Sequence, residues 1–186
     1  MKRVVFTLRI PALNIRPLAK RYSYSQRDSE AEFKRITAQV RENGRLTKDQ
    51  LLTICQWKAS RSAGNVEKNT PAFVECVTQF AFATSDERAR IESLTLLDGV
   101  GWPTASVILH LFHKDRYPIL DYRALWSVGV EVPRPLSFEF WWQYTLFCRK
   151  VADKSRVDMR TLDKALWQYS KENQPKGRTV CEKNAH

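Results

Sequence analysis

Residues 94–112 read Leu94-Thr95-Leu96-Leu97-Asp98-Gly99-Val100-Gly101-Trp102-Pro103-Thr104-Ala105-Ser106-Val107-Ile108-Leu109-His110-Leu111-Phe112. An apolar helical run from Glu87 to Leu97 leads into a turn with two glycines around a valine. A second apolar run, Thr104 to Phe112, leads out of it. Gly99 and Gly101 permit backbone angles that a side chain resists, so two helices can meet in a short hairpin, and left-handed angles are expected at Gly101. Pro103 suits the first turn of the second helix, where its missing N–H costs nothing. The freed amides at that helix start carry the positive end of the helix dipole and form a site suited to phosphate.

Beyond the hairpin come the short loop Lys114-Asp115-Arg116-Tyr117-Pro118-Ile119-Leu120 and then Asp121, placed to open the next helix. Leu97 to Ser106, followed by helix, loop and aspartate in this order, resembles the helix-hairpin-helix DNA glycosylases of the endonuclease III-like superfamily. The resemblance implies an all-α, two-lobed fold of about nine helices. Residues 28–130 would form a central lobe holding the hairpin, and residues 1–27 and 131–173 a second lobe. Residues 174–186 would be a loose tail. Duplex DNA with a flipped base would lie at the cleft between the lobes.

By the same resemblance, Asp121 is the catalytic residue. Cleaving a base from deoxyribose builds positive charge on the sugar, and a nearby carboxylate stabilises that charge and orients the attacking water. An aspartate before a helix is also an ordinary N-cap, and one residue can serve both roles. Pro103 stands where bifunctional members carry a lysine that forms a Schiff base. The chain therefore resembles the monofunctional branch, a hydrolase of base excision repair without lyase activity. Lys58 is a second candidate amine by another route, although a lysine there more often solvates a helix end. The adenine-removing branch carries a second acid where this chain has Thr53, which disfavours that branch.

Gly99, Val100, Gly101 and Thr104 of the hairpin, with Lys58 and Arg61 of the polar loop Lys58–Lys68, are the expected DNA contacts. Trp102, Tyr122 and Trp57 are candidates to stack on a base, and each could equally be core. Trp141, Trp142 and Phe147 sit at helical spacings that favour packing. His110 and His113 lack a third ligand nearby in sequence, so no metal and no cofactor is expected. The competing reading is a DNA-binding protein that keeps the hairpin and lacks catalysis.

The charge supports either reading. The net charge of +11 over 186 residues favours an anionic partner, nucleic acid first. Residues 1–27 hold seven lysines and arginines, from Lys2 to Arg27, and no acid. Such a start also fits a transit peptide, but Pro11 and Pro17 interrupt the amphipathic helix that one would need. A folded or DNA-facing arm of a bacterial-type cytoplasmic monomer is the preferred expectation. Cys55, Cys76, Cys148 and Cys181 are scattered, without the closely spaced set that holds an iron–sulfur cluster in many endonuclease III-like enzymes. Cys55 and Cys76 are expected in the core.

In chain order, Val4 to Ile10 reads as a short extended stretch and Pro11 to Arg21 as a first helix. Ser29 with Glu32, and Thr47 with Gln50, have capping-box spacing. Thr70-Pro71 starts a helix through Phe80, and Thr84 with Glu87 caps the first hairpin helix. Ser137 starts an aromatic helix. Asp158 or Thr161 starts the last one, which ends near Asn173.

Overall fold

The computed structural model describes residues 3–24 and 29–175, and the expected loose tail lies largely outside them. The described residues form nine α-helices, two 3-10 turns and no strand. The helices are α1 (Ile15–Lys20), α2 (Ser29–Asn43), α3 (Lys48–Lys58), α4 (Pro71–Ala83), α5 (Glu87–Leu94), α6 (Trp102–Phe112), α7 (Tyr122–Ser127), α8 (Phe138–Ser155) and α9 (Met159–Asn173). None is long and apolar enough to cross a membrane.

Local chemistry sets most of the helix starts. Thr47 accepts from the Gln50 amide while the Gln50 side chain accepts from the Thr47 amide, the reciprocal box that opens α3. Thr70 caps α4 ahead of Pro71, Ser137 caps α8, and Asp158 caps α9. Two expected caps differ. Helix α2 begins at Ser29 itself rather than after it. Helix α5 is capped by Asp86, whose Oδ1 accepts from the Ala89 amide at 2.7 Å, while Thr84 accepts from the Asp86 amide one turn earlier. A carboxylate two residues closer to the helix displaces the threonine from that role.

The apolar side chains gather into two clusters. The first takes Phe33, Ile36, Leu51, Ile54, Val74, Ile91, Leu94, Val107, Ile108 and others from α2 to α6, with Trp141 reaching in from α8. The second joins the N-terminal stretch to the C-terminal helices through Ile10, Ile15, Leu18, Leu125, Tyr144, Met159, Leu162 and Leu166. The boundary falls between Ile119 and Leu120, so α7 packs with the second cluster, ahead of the division expected at residue 130. Residues 4–10 run extended, turning even-numbered side chains inward and odd-numbered ones outward. Their Thr7 and Arg9 amides donate to the carbonyls of Val128 and Ser127, both at 2.9 Å. Cys55 and Cys148 are buried, whereas Cys76 is exposed on the outer face of α4.

The hairpin is clasped from the side. Buried Asn69 donates to the Asp98 carbonyl and accepts from the Asp98 amide, both at 3.0 Å. Gly99 has φ +85°, and a Cβ there would lie 3.0 Å from both the Ser62 carbonyl oxygen and a Val66 methyl. Gly101 is extended, at φ −91° and ψ 179°, and a Cβ there would meet only Pro103 Cδ, at an ordinary 3.8 Å. The left-handed position is thus Gly99, and the expectation for Gly101 is corrected. Gly99→Ala is expected to cost about 2 kcal/mol from backbone strain alone, which lowers the melting temperature by roughly 4–8 °C in a chain of this size. Gly101→Ala should leave it nearly unchanged. Thermal melts of the two variants side by side check this.

Charged side chains tie the segments together across long sequence separations. Glu30 of α2 accepts from Arg160 at 2.8 Å and pairs with Lys164 at 2.9 Å, joining α2 to α9. Burial raises the Glu30 pKa, but the hydrogen bonds and charges of Arg160 and Lys164 outweigh it and bring the value to about 2. A depressed carboxylate pKa stabilises the fold above the unfolded value, near 4.5, and the contribution is lost as pH falls toward about 2. Glu30→Gln should therefore lower stability at neutral pH and flatten its decline between those limits. Urea unfolding across that pH range measures the difference. Where α4, α5 and α6 meet, buried Arg90 donates to the carbonyls of Ala81 and Thr84 and bonds Glu87 and His113. Burial, then the Arg90 charge, pushes the His113 pKa down.

Candidate active site

The last residue of α3 and the residue before α7, 63 positions apart, meet at one point. Lys58 Nζ donates to Asp121 Oδ2 at 2.7 Å. The other oxygen, Oδ1, accepts from the Arg123 amide at 2.9 Å and caps α7. Both sequence roles of Asp121 therefore have an atom: one oxygen fixes the helix start and the other faces a buried cation. The side chains are only 9% and 13% exposed, so the pair is held largely away from solvent screening. Burial works against the Lys58 ammonium, yet the charge and hydrogen bond of Asp121 outweigh it, and Lys58 holds its proton more tightly than a free lysine does.

The pair lies in the wall of a cavity of about 370 Å³. Leu120, Leu125, Val132, Leu136 and Pro103 make its aliphatic lining; Tyr24, Tyr122 and Trp167 make its aromatic lining. Arg123 completes it, its guanidinium stacked 5.1 Å over the Tyr122 ring and 5.4 Å over Trp167. The lining joins residues from α3, the hairpin helix α6, α7 and α9 to Tyr24 and to the link after α7. Such a volume and such aromatic walls accommodate a flat heterocycle.

Pro103 brings the start of α6 to the edge of this cavity. Gly101 is its N-cap and offers no side chain to the first amides. The Val100 amide, by contrast, donates to the Leu97 carbonyl at 3.0 Å, and Val100 itself is buried. The phosphate-facing role expected of Val100 is therefore not available to its amide. Thr104 is buried within α6. Arg61 is exposed, and the adjoining Ser62 packs against Gly99, so Arg61 lies next to the hairpin. Lys58, expected among the DNA contacts, turns its charge to Asp121 instead.

The three aromatic candidates separate. Tyr122 lines the cavity and is 46% exposed. Trp57 packs into the first cluster, with Phe33 on one side at 5.3 Å and Tyr24 on the other at 5.0 Å. Trp102 sits against both clusters. Tyr24 and Trp167 line the cavity in their place, their rings edge-on at 5.3 Å. The sequence carried a signal for Trp167: it follows the buried Leu166 and stands beside the apolar stripe of α9 rather than in it. Trp141 is fully buried, and Trp142 and Phe147 pack at cluster edges.

No family model, curated protein or solved structure matches the chain. The cavity is therefore read from its own chemistry. It joins a carboxylate with one fixed and one ion-paired oxygen, an amine, a guanidinium and three aromatic rings. His110 Nδ1 donates to the Tyr117 carbonyl at 2.7 Å, and His113 is engaged with Arg90, so neither imidazole joins this group. Among the described residues no cluster of metal-ligating side chains occurs.

Proposed function

We propose that this chain is a DNA glycosylase that removes a damaged or modified base by hydrolysis of the N-glycosidic bond. The observation that carries the reading is the position of Asp121: a carboxylate in the wall of an aromatic-lined cavity, beside the start of a hairpin helix with uncapped amides. The helix start and Arg61 would hold the phosphate backbone. The flipped base would enter between Tyr24, Tyr122 and Trp167, displacing the Arg123 guanidinium from the ring faces. Asp121 Oδ2 would then stabilise the positive charge that grows on the sugar and orient water toward C1′. The partner is duplex DNA, and no cofactor takes part in this scheme.

The absence of a lyase step rests in the sequence on Pro103 alone. Pro103 carries no amine, and the hydrolytic scheme needs none. Duplex oligonucleotides, each with a different damaged base, test the reading: incubation with protein followed by alkali should cut at least one of them at the lesion. Salt-sensitive binding without cleavage of any would favour the non-catalytic DNA-binding protein.

A further inference from the structure

We infer that the cavity selects a deaminated purine, hypoxanthine, and that Arg123 reads it through the neighbouring O6 and N7 acceptors of its edge. This rests on the reading of the cavity as the pocket of a base-releasing enzyme. It deepens that reading, because a carboxylate beside the sugar does not choose among bases.

The cavity is rich in donors and poor in acceptors. Lys58 and Asp121 neutralise each other across 2.7 Å, which leaves Arg123 as an excess cation in the lining. Among the described residues its guanidinium has no hydrogen-bond or ion-pair partner; it rests on the rings of Tyr122 and Trp167, at 5.1 and 5.4 Å. Asp121 holds the Arg123 backbone amide, not its side chain. A guanidinium is always charged, offers its N–H groups in a fixed planar fork and accepts nothing. Trp167 adds an indole N–H, also a donor only. Against these stands one carboxylate in the lining, whose Oδ1 takes the Arg123 amide and whose Oδ2 takes the Lys58 ammonium. Tyr24 turns its hydroxyl proton to the Trp57 carbonyl, and much of the remaining wall is aliphatic.

Such a lining discriminates by what a base presents at its rim. A base that takes the place of the guanidinium on the rings moves that group to its own edge, where the fork meets acceptors or meets a mismatch. O6 beside N7 is the purine edge that arginine reads with two parallel hydrogen bonds. Adenine shows N7 beside an amino group, which sets donor against donor. A purine alkylated at N7 has lost that acceptor and carries a positive charge, which the guanidinium repels. Guanine has the matching edge, but its 2-amino group would be buried facing a wall short of acceptors, and a buried donor left unpaired is costly. Hypoxanthine, which is adenine with its amino group replaced by oxygen, keeps O6 and N7 and has no exocyclic amine.

The test uses the full chain and duplexes that differ at one base: hypoxanthine, guanine or adenine opposite thymine, and N7-methylguanine opposite cytosine. The hypoxanthine and guanine duplexes are both wobble mismatches and differ only in the 2-amino group, so the ease of opening the pair is matched. Single-turnover release of free base above the protein-free rate, and duplex affinity, are measured for the parent chain, Arg123→Met and Arg123→Lys. Each variant keeps the backbone amide that Asp121 caps. The parent chain should release hypoxanthine fastest and bind its duplex above the guanine one. Arg123→Met should lose about 10–100-fold of hypoxanthine release, while its release of N7-methylguanine should rise. Arg123→Lys keeps the charge without the fork, so it should recover little hypoxanthine release and still disfavour N7-methylguanine. A damaged fold would lower release of both bases together. Fastest release of N7-methylguanine or of an amine-bearing base by the parent chain, or an undiminished hypoxanthine preference in Arg123→Met, would overturn the proposal and leave the glycosylase standing. If no base is released but affinity favours hypoxanthine in an Arg123-dependent way, the recognition stands and the glycosylase falls. With neither release nor preference, both fall.

Discussion

Asp121→Asn is expected to slow base release by about 10²–10³-fold, the loss typical of removing one preorganised electrostatic group from a transition state. Asparagine keeps the size of the side chain and an oxygen able to accept from the Arg123 amide, so the start of α7 is retained. What disappears is the charge at Oδ2. That loss also leaves Lys58 as a buried cation without its carboxylate, so the variant should melt at a lower temperature. The two effects separate experimentally. Single-turnover base release at a temperature well below both melting transitions reads the chemistry, and duplex affinity under the same conditions reads the binding. Affinity should stay similar or rise, because the proposed phosphate contacts lie elsewhere. A variant as active as the parent chain would leave Asp121 as a helix cap only.

Duplex affinity should fall about 10³-fold between 50 and 200 mM salt if about six phosphates are contacted, because each contact releases condensed counterions. The net charge of +11 supplies the attraction. Its distribution makes the expectation sharper. Lys58 is engaged with Asp121 inside the cavity, so Lys58→Arg should leave the slope of log affinity against log salt nearly unchanged. Arg61 is exposed beside the hairpin, so Arg61→Ala should lower the magnitude of that slope by about one unit. Fluorescence anisotropy titrations at four or five salt concentrations give the slopes. Binding that ignores salt would contradict the nucleic-acid reading as a whole.

The hairpin was legible in the sequence because its determinants are local. Two glycines, a proline and flanking apolar runs specify a helix, a turn and a helix without reference to anything distant. The same locality explains the Thr47–Gln50 box and the Thr70 and Ser137 caps. What a one-dimensional reading lacks is the sign of φ. The left-handed angle was expected at Gly101 but falls at Gly99, whose φ is +85° and where Ser62 and Val66 also close in on the Cβ position. Cys76 looked like a core residue because α4 is apolar on several faces, and its own face points outward.

The site was legible only in part. Asp121 follows from its place after the hairpin and its position before a helix. Its partner Lys58 is 63 residues away, at the end of a helix where a lysine is unremarkable by pattern. Tyr24 and Trp167 were missed because an aromatic residue in an amphipathic protein reads first as packing. Their cavity exists only when the N-terminal stretch and α9 are folded against α3 and α7. Trp57 and Trp102 share that ambiguity and resolve toward packing, since each lies half-buried against apolar neighbours.

The central claim is that a base is released at the cavity walled by Asp121. Free base, measured by mass spectrometry after incubating the chain with a panel of damaged duplexes, tests it most directly, with Asp121→Asn run in parallel. At least one duplex should yield its damaged base with the parent chain and little or none with the variant. Equal release by both proteins, or no base from any duplex that is bound, would contradict it.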